Sequence, residues 1–353
     1  MKIRFCLIAI LLILFKFAVS KPQNEKQLAK SKAIEAVKQL DLLQYDKAIK
    51  LLQDALKLDP QNEKIVYQLG LTFYQKKDYN TAVTVFVKLL KMPNVTDNYY
   101  RTYVNILNDA NRTKEAYIVL ESGLKKFPRS SVLFLELGNY LGTQKKYNEA
   151  ITAYEKGIDV DPMYPSNYYY ASKLYCYSNE EVWGMIYGEI FMNLEKNSKR
   201  TFEISKLLYN TYLSEIKFTS DSTTAVSFTR NSNSKNLEQS GLNIYEPTLM
   251  QSMIGTKSIN INTLSKIRTR FVEIYFENSY QKRFYNVLFD FQKEIKDAGH
   301  SDAYSHWILN KGNETDFSIW QLKNKEKWEK FIEWFKTHNL VITNENKFVR
   351  TKY

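Results

Sequence analysis

The chain offers few residues that could perform acid–base catalysis or bind a metal ion. Its three histidines are His300, His306 and His338. His300 and His306 are six positions apart, so an α-helix would not present both on one face, as i, i+4 spacing does. The sequence contains no HExxH, GxSxG or CxxC pattern and no phosphate-binding glycine loop. We interpret the histidines as hydrogen-bonded helix-end or surface residues, with metal ligation or acid–base work as the alternative.

Cysteine and tryptophan give the remaining candidates. Cys176 could be a nucleophile paired with a distant histidine, but we favour a buried or groove-lining thiol. Trp328 and Trp334 could stack on a carbohydrate, although their helical spacing favours a role in the core. We therefore predict no catalytic, cofactor-binding or metal-binding residues, and a protein that is not an enzyme.

The first 20 residues have the pattern of a secretory signal peptide. A short basic start is followed by the apolar run FCLIAILLILF and by the small-residue boundary AVS before Lys21. An uncleaved membrane anchor is the alternative, but the apolar run is shorter than the roughly 20 residues that span a bilayer, and Lys16 interrupts it. Cleavage would lower the formal charge from +12 to +9 and leave Cys176 as the one cysteine. A chain with one cysteine forms no internal disulfide and must be stabilised by packing.

The composition indicates a large, mostly helical protein. The 353 residues are 44% hydrophobic, which is enough for a sizeable core. Glycine (11) and proline (7) are scarce. So few turn-forming residues favour long helices over a β fold with many turns. The positive net charge suggests nucleic acid as one type of partner. However, the lysines alternate with acids as on a solvated face, and export argues against nucleic acid.

The stretch YNEAITAYEKGIDVDP, residues 147–162, is one copy of a repeated pattern. Prolines recur at multiples of 34 residues at Pro60, Pro128 and Pro162. Small residues keep the same step at Ala48, Ala82, Ala116, Ala150 and Gly184. Small side chains let two helices approach closely, and a proline after the second helix ends it. A unit of this size cannot bury its apolar face alone, so we expect the copies to stack.

This period and these residue types resemble the tetratricopeptide repeat (TPR) family. The composition is similar to that of exported bacterial envelope members. The resemblance implies a mainly α, right-handed TPR α-solenoid with two helices, A and B, in each repeat. Residues 21–28 lead into an array over 29–198. The repeats are predicted at 29–62, 63–96, 97–130, 131–164 and, in degenerate form, 165–198.

The rest of the chain departs from the 34-residue step. We predict a capping helix at 199–217. A Ser/Thr/Asn-rich insert follows at 218–262, with a possible short β-hairpin in which Phe218, Val226 and Phe228 could pack. Helical periodicity returns at 263–353, where four tryptophans lie, so this region is expected to form its own aromatic core.

In the TPR family, helix A residues line a concave groove that receives a partner's peptide or helix. The resemblance places these residues of the chain in the groove: Tyr67, Leu71, Tyr74, Arg101, Asn105, Asn108, Leu135, Asn139, Tyr169 and Lys173. One subtype clamps a C-terminal carboxylate, and Arg101 and Asn105 match its first pair. Glu136, Ser166 and Tyr170 depart from the rest of that pattern, which puts a carboxylate clamp in doubt.

These expectations define two classes of function. We predict an exported scaffold or adaptor, periplasmic or secreted, that binds a protein or peptide in the groove and needs no cofactor. The setting could be an envelope secretion, motility or assembly complex. The alternative is an enzyme or glycan-binding protein whose activity lies in 263–353, with the array as a recruiting module. The partner cannot be identified from these residues.

Overall fold

The computed structural model describes residues 23–220, 223–229 and 242–352. The predicted signal peptide and much of the predicted insert lie outside these residues. The described residues form seventeen α-helices and one two-stranded sheet, which confirms the mainly α prediction. No helix within the described ranges is long and apolar enough to cross a membrane. The chain divides into two compact units, at residues 1–127 and 128–353.

The N-terminal unit consists of three helix pairs. The helices are α1 (Gln23–Asp41), α2 (Tyr45–Leu58), α3 (Glu63–Gln75), α4 (Tyr79–Leu89), α5 (Asp97–Asp109) and α6 (Thr113–Lys126). A small residue on one helix of a pair faces a large one on the other. A Cβ atom added at Gly70 would lie 2.6 Å from Phe86, and Ala48, Ala82 and Ala116 are buried. The close approach inferred from the small residues is therefore present.

The turn inside each of the first four pairs has the same backbone conformation. Leu43, Lys77, Asn111 and Lys145, each 34 residues after the last, have φ between 57° and 66°. The next residue donates its amide to a carbonyl five positions back, as from Asp78 to Phe73. This is the hydrogen bond of a Schellman motif, in which glycine is the usual left-handed residue. No glycine occupies the position here.

The C-terminal unit begins with two more pairs and a further helix. They are α7 (Ser131–Thr143), α8 (Tyr147–Val160), α9 (Pro165–Cys176), α10 (Glu181–Leu194) and α11 (Lys199–Glu215). An antiparallel hairpin follows, with β1 at Ile216–Ser220 and β2 at Thr223–Val226. Phe228, just after it, is fully buried. The predicted hairpin and the packing of Phe228 are thus confirmed.

Six helices complete the C-terminal unit. They are α12 (Leu242–Ser252), α13 (Ile261–Glu277), α14 (Val287–Asp297), α15 (Ser301–Leu309), α16 (Glu314–Lys323) and α17 (Lys325–Thr337). Their buried side chains belong to the same core as those of α8 to α11. The separate aromatic core expected for 263–353 is therefore not observed. Trp307 and Trp320 are buried in the shared core, with Trp328 and Trp334 packed against it.

Helix α10 explains why the core is shared. Its sequence EVWGMIYGEIFMNL is apolar around most of the helix, and every residue from Glu181 to Asn193 is buried. A helix that is apolar on all sides must be covered on all sides. The preceding helix pairs cover one side of α10, and the later helices cover its other side. The predicted capping helix, α11, is likewise covered beyond the array, because Ser205 accepts a hydrogen bond from the Lys311 amide at 3.0 Å.

Candidate functional site

The site predicted from the groove positions divides between the two units. In the N-terminal unit it comprises Tyr67, Leu71 and Tyr74 on α3 and Arg101, Asn105 and Asn108 on α5, which we call the helix-A surface. Positions three and four apart lie on the same face of a helix. Asn108 is exposed, and the other five side chains are half-buried. A partner could therefore contact these side chains.

The two tyrosines of the helix-A surface are held by contacts from α3 to α5. The Tyr67 ring stacks on Tyr99 at a centroid distance of 4.7 Å, and its hydroxyl lies 3.1 Å from the Thr102 hydroxyl. The Tyr74 hydroxyl donates a hydrogen bond to the Asp109 carboxylate. Rings fixed in this way lose little conformational freedom when a partner binds.

The electrostatics of Tyr74 follow from its partner. The hydrogen bond to Asp109 raises the pKa of the Tyr74 phenol to about 12, and partial burial adds to the effect. The phenol is therefore protonated at neutral pH and remains the donor in this contact. Tyr74 thus connects two repeats as well as facing the surface.

In the C-terminal unit, two of the four predicted positions are in the core. Leu135 and Tyr169 are each 6% exposed, which corrects their placement in an open groove. Tyr169 is covered because the Arg200 guanidinium, from α11, lies 5.1 Å from the centre of its ring. Its hydroxyl also donates to Glu203. These two side chains stabilise the helix packing and offer little surface to a partner.

The other two predicted positions are half-buried but engaged in contacts within the unit. The Asn139 side-chain oxygen accepts a hydrogen bond from the Tyr154 hydroxyl at 3.0 Å. The Lys173 ammonium forms an ion pair with Glu203 at 2.7 Å. Both contacts join neighbouring helices. The favoured surface is therefore in the N-terminal unit, where more of the predicted side chains remain accessible.

Two of the three positions that depart from the carboxylate-clamp pattern, Glu136 and Ser166, are also engaged in contacts. Glu136 is buried and accepts a hydrogen bond from Asn139 at 3.2 Å. Ser166 is buried and accepts from the Arg200 guanidinium at 3.0 Å. Arg200 in turn is paired with Glu195. These contacts therefore leave neither Glu136 nor Ser166 available to bind a carboxylate.

Two of the residues considered for catalysis, His306 and Cys176, are buried among other side chains. His306 is 1% exposed, stacks on Trp320 at 4.0 Å and bonds through Nε2 to Asn262 at 3.1 Å. Burial raises the pKa of the Cys176 thiol to about 12, so it is not a ready nucleophile. Among the described residues, no group of three or more His, Cys, Asp or Glu could hold a metal ion.

Two charge clusters built on buried glutamates were missed by sequence reasoning. Arg268 forms a two-point ion pair with Glu189, at 2.6 and 2.8 Å. Arg350 pairs with Glu155 at 3.1 Å, and the Glu155 carboxylate also accepts from the hydroxyls of Tyr175 and Tyr187. These partners are 79 and 195 residues apart. The one available signal was a glutamate within an otherwise apolar helix, as at Glu189.

Comparisons with known proteins identify the repeats. A family model described as TPR repeat matches residues 44–77, and one described as Tetratricopeptide repeat matches 63–95 and 133–163. No curated protein matches the sequence.

Several solved structures resemble the chain. PilF of Pseudomonas aeruginosa is 19% identical and covers 54% of this chain and 86% of its own, with a TM-score of 0.47. MamA of Desulfovibrio magneticus is 21% identical and covers 48% of this chain and 97% of its own, with a TM-score of 0.39. A tetratricopeptide repeat protein from Parabacteroides merdae is 11% identical and covers 81% and 99%, with a TM-score of 0.43. With every TM-score below 0.5, these similarities carry no functional assignment.

Proposed function

The chain is a tetratricopeptide repeat protein, and we propose that it is a non-enzymatic adaptor that binds a protein or peptide segment on its helix-A surface. The observation that carries the proposal is the set of accessible side chains on α3 and α5. Aromatic rings are already fixed on this surface, which also includes the guanidinium of Arg101 and the amides of Asn105 and Asn108. Tyrosine and arginine are the residue types enriched at the energetic centres of protein interfaces.

The finer parts of the proposal concern location and setting. The basic start, short apolar run and small-residue boundary before Lys21 support export to the periplasm or the medium. An envelope secretion, motility or assembly complex is the setting that we favour. The family resemblance suggests this setting, and no residue motif specifies it.

The test is photo-crosslinking in intact cells from the exposed position Asn108, followed by identification and purification of the captured protein. Binding of that protein should be lost or strongly weakened in the variant Arg101→Ala, Asn105→Ala, Asn108→Ala. We leave Tyr74 unchanged because its bond to Asp109 connects two repeats. The crosslinked complex is expected outside the cytoplasm, and its recovery from the cytoplasm alone would contradict export.

A matched control uses the helices B of the same unit. Thr84, Lys88 and Ser122 are exposed on α4 and α6 and supply one cation and two small polar side chains. Their replacement by alanine should leave binding unchanged. Equal binding by both triple variants would refute the helix-A surface. A crosslinker at exposed Glu329 tests the C-terminal unit instead, since deleting 263–353 would remove part of a shared core.

A further inference from the structure

A cavity of about 160 Å³ lies in the C-terminal unit between α10, α11, α15, α16 and α17. Its walls are mostly apolar and include Met192, Phe202, Trp307, Trp328, Ile332 and Phe335. A protein cavity of about 150 Å³ with apolar walls is large enough to hold benzene. Phe202 is 43% exposed, so the cavity has a wall at the protein surface. Its size therefore suits one six-membered ring.

One charged group, Lys196, lines this cavity. Its ammonium donates hydrogen bonds to the Phe335 carbonyl at 3.0 Å and to the Asn339 side-chain oxygen at 2.9 Å. It also lies 3.5 Å from the centre of the Phe335 ring. An ammonium group has three donors, so one donor remains after these two bonds. Within the described residues, no carboxylate forms an ion pair with Lys196.

The surroundings of Lys196 disfavour its charge. Burial lowers the pKa of its amine to about 8. The amine is still mostly protonated at neutral pH. A carboxylate entering the cavity would supply the missing counter-charge.

Two charged residues lie near the cavity without lining it, and both are already paired. Lys311 lies 4.8 Å from the centre of the Phe202 ring and forms an ion pair with Glu314 at 3.1 Å. Glu195, next to Lys196 in sequence, is paired with Arg200. Lys196 is thus a cation without a carboxylate, placed over an aromatic face that a cationic ligand would otherwise use. The cavity therefore favours an anion over a cation.

We propose that this cavity binds a compact monocarboxylate with an apolar body the size of one ring. The ring would contact the walls formed by Trp307, Trp328 and Ile332, and the carboxylate would accept a hydrogen bond from Lys196. This inference does not depend on the helix-A surface or on the proposed adaptor function.

Phenylacetate is the probe that we would use, with binding to the full-length protein measured by isothermal titration calorimetry. We expect saturable binding at one site. Lys196→Met keeps an apolar stem and should weaken binding about 10- to 100-fold, the range for loss of a hydrogen bond to a charged group. Lys199→Met removes an exposed lysine from the start of α11 and should change nothing. Phenylacetamide, which is neutral, should bind wild type more weakly than phenylacetate does and should lose less affinity on Lys196→Met, since its amide oxygen accepts a hydrogen bond but carries no charge.

A second variant tests the cavity independently, in case Lys196→Met does not fold. Ile332→Trp fills the cavity and leaves Lys196 in place, so it should abolish binding while thermal melting shows a folded protein. Absence of saturable phenylacetate binding to wild type would overturn the proposal. The proposal would also be wrong if Lys196→Met bound phenylacetate with the affinity of wild type, or if folded Ile332→Trp still bound it.

Discussion

At the scale of single residues, the contact between Arg268 and Glu189 is the most consequential in the C-terminal unit. The two side chains are 8% and 5% exposed. Around them, Tyr304 donates a hydrogen bond to Glu189 at 2.9 Å, and Arg268 bonds to Ser305 at 3.3 Å. The pair joins α13 to α10 across the shared core. Buried charges are tolerated only when they are paired and hydrogen-bonded in this way.

Replacing one partner should therefore be costly. Arg268→Met leaves the Glu189 charge buried without its counter-ion, and we expect a loss of about 3–5 kcal/mol in the free energy of unfolding. The double variant Arg268→Met, Glu189→Gln removes the uncompensated charge and should recover part of that loss. Urea denaturation of the single and double variants measures both quantities. An Arg268→Met protein as stable as wild type would contradict this account of the pair.

At the scale of elements, the turns inside the helix pairs carry strain that glycine would remove. Lys145, between α7 and α8, has a φ of 59°, in the left-handed region that costs residues with a Cβ roughly 1–2 kcal/mol. The same conformation at Leu43, Lys77 and Asn111 shows that the turn belongs to the repeat and not to one residue. Asparagine tolerates this region better than lysine or leucine does.

Lys145→Gly should consequently raise the free energy of unfolding by about 1 kcal/mol. Lys146→Gly is the control, because Lys146 has a negative φ of −88°, and glycine there adds disorder to the unfolded chain and removes an exposed ion pair with Glu149. We expect Lys146→Gly to lower stability slightly. Thermal melting distinguishes the two, and the strain argument fails if both variants are destabilised alike.

At the scale of the whole molecule, the C-terminal segment returns to the repeats of its unit. Phe348 is fully buried against Trp183 and Tyr187 of α10. Two ion pairs hold the same segment, from Arg350 to Glu155 and from Lys347 to Asp159 at 2.7 Å. Both carboxylates are on α8, so the end of the chain covers helices B of two successive repeats.

We expect Phe348→Ala to destabilise the C-terminal unit by about 3–5 kcal/mol, the range for truncating a buried phenylalanine. Hydrogen exchange should show the loss of protection in α10 and α8, the helices that the segment covers. Val341→Ala is the control, since Val341 lies in the same segment but is 61% exposed. Unchanged exchange in α10 after Phe348→Ala would show that the segment does not stabilise it.

Much of the repeat array was predictable because its contacts are local. The 34-residue step located the small residues, and Gly138 indeed packs on the Tyr154 ring 16 positions later. Helices begin at Glu63, Asp97 and Ser131, at the predicted starts of three repeats. Each repeat packs mainly on itself and its neighbours, so the period in the sequence is also a period in space. The composition of the later region similarly indicated helices and a hairpin.

Tertiary structure decided what lies far apart in sequence. No spacing rule relates Arg268 to Glu189 or Arg350 to Glu155, because the partners are 79 and 195 residues apart and meet only in the folded unit. The packing of the C-terminal unit also placed Leu135 and Tyr169 in the core and left Lys196 beside a cavity. Helical periodicity identifies which face of a helix is apolar, but it does not say which distant segment covers that face. The sequence by itself therefore determined the repeated helix pairs, while the packing of the C-terminal helices determined which side chains remain available for binding.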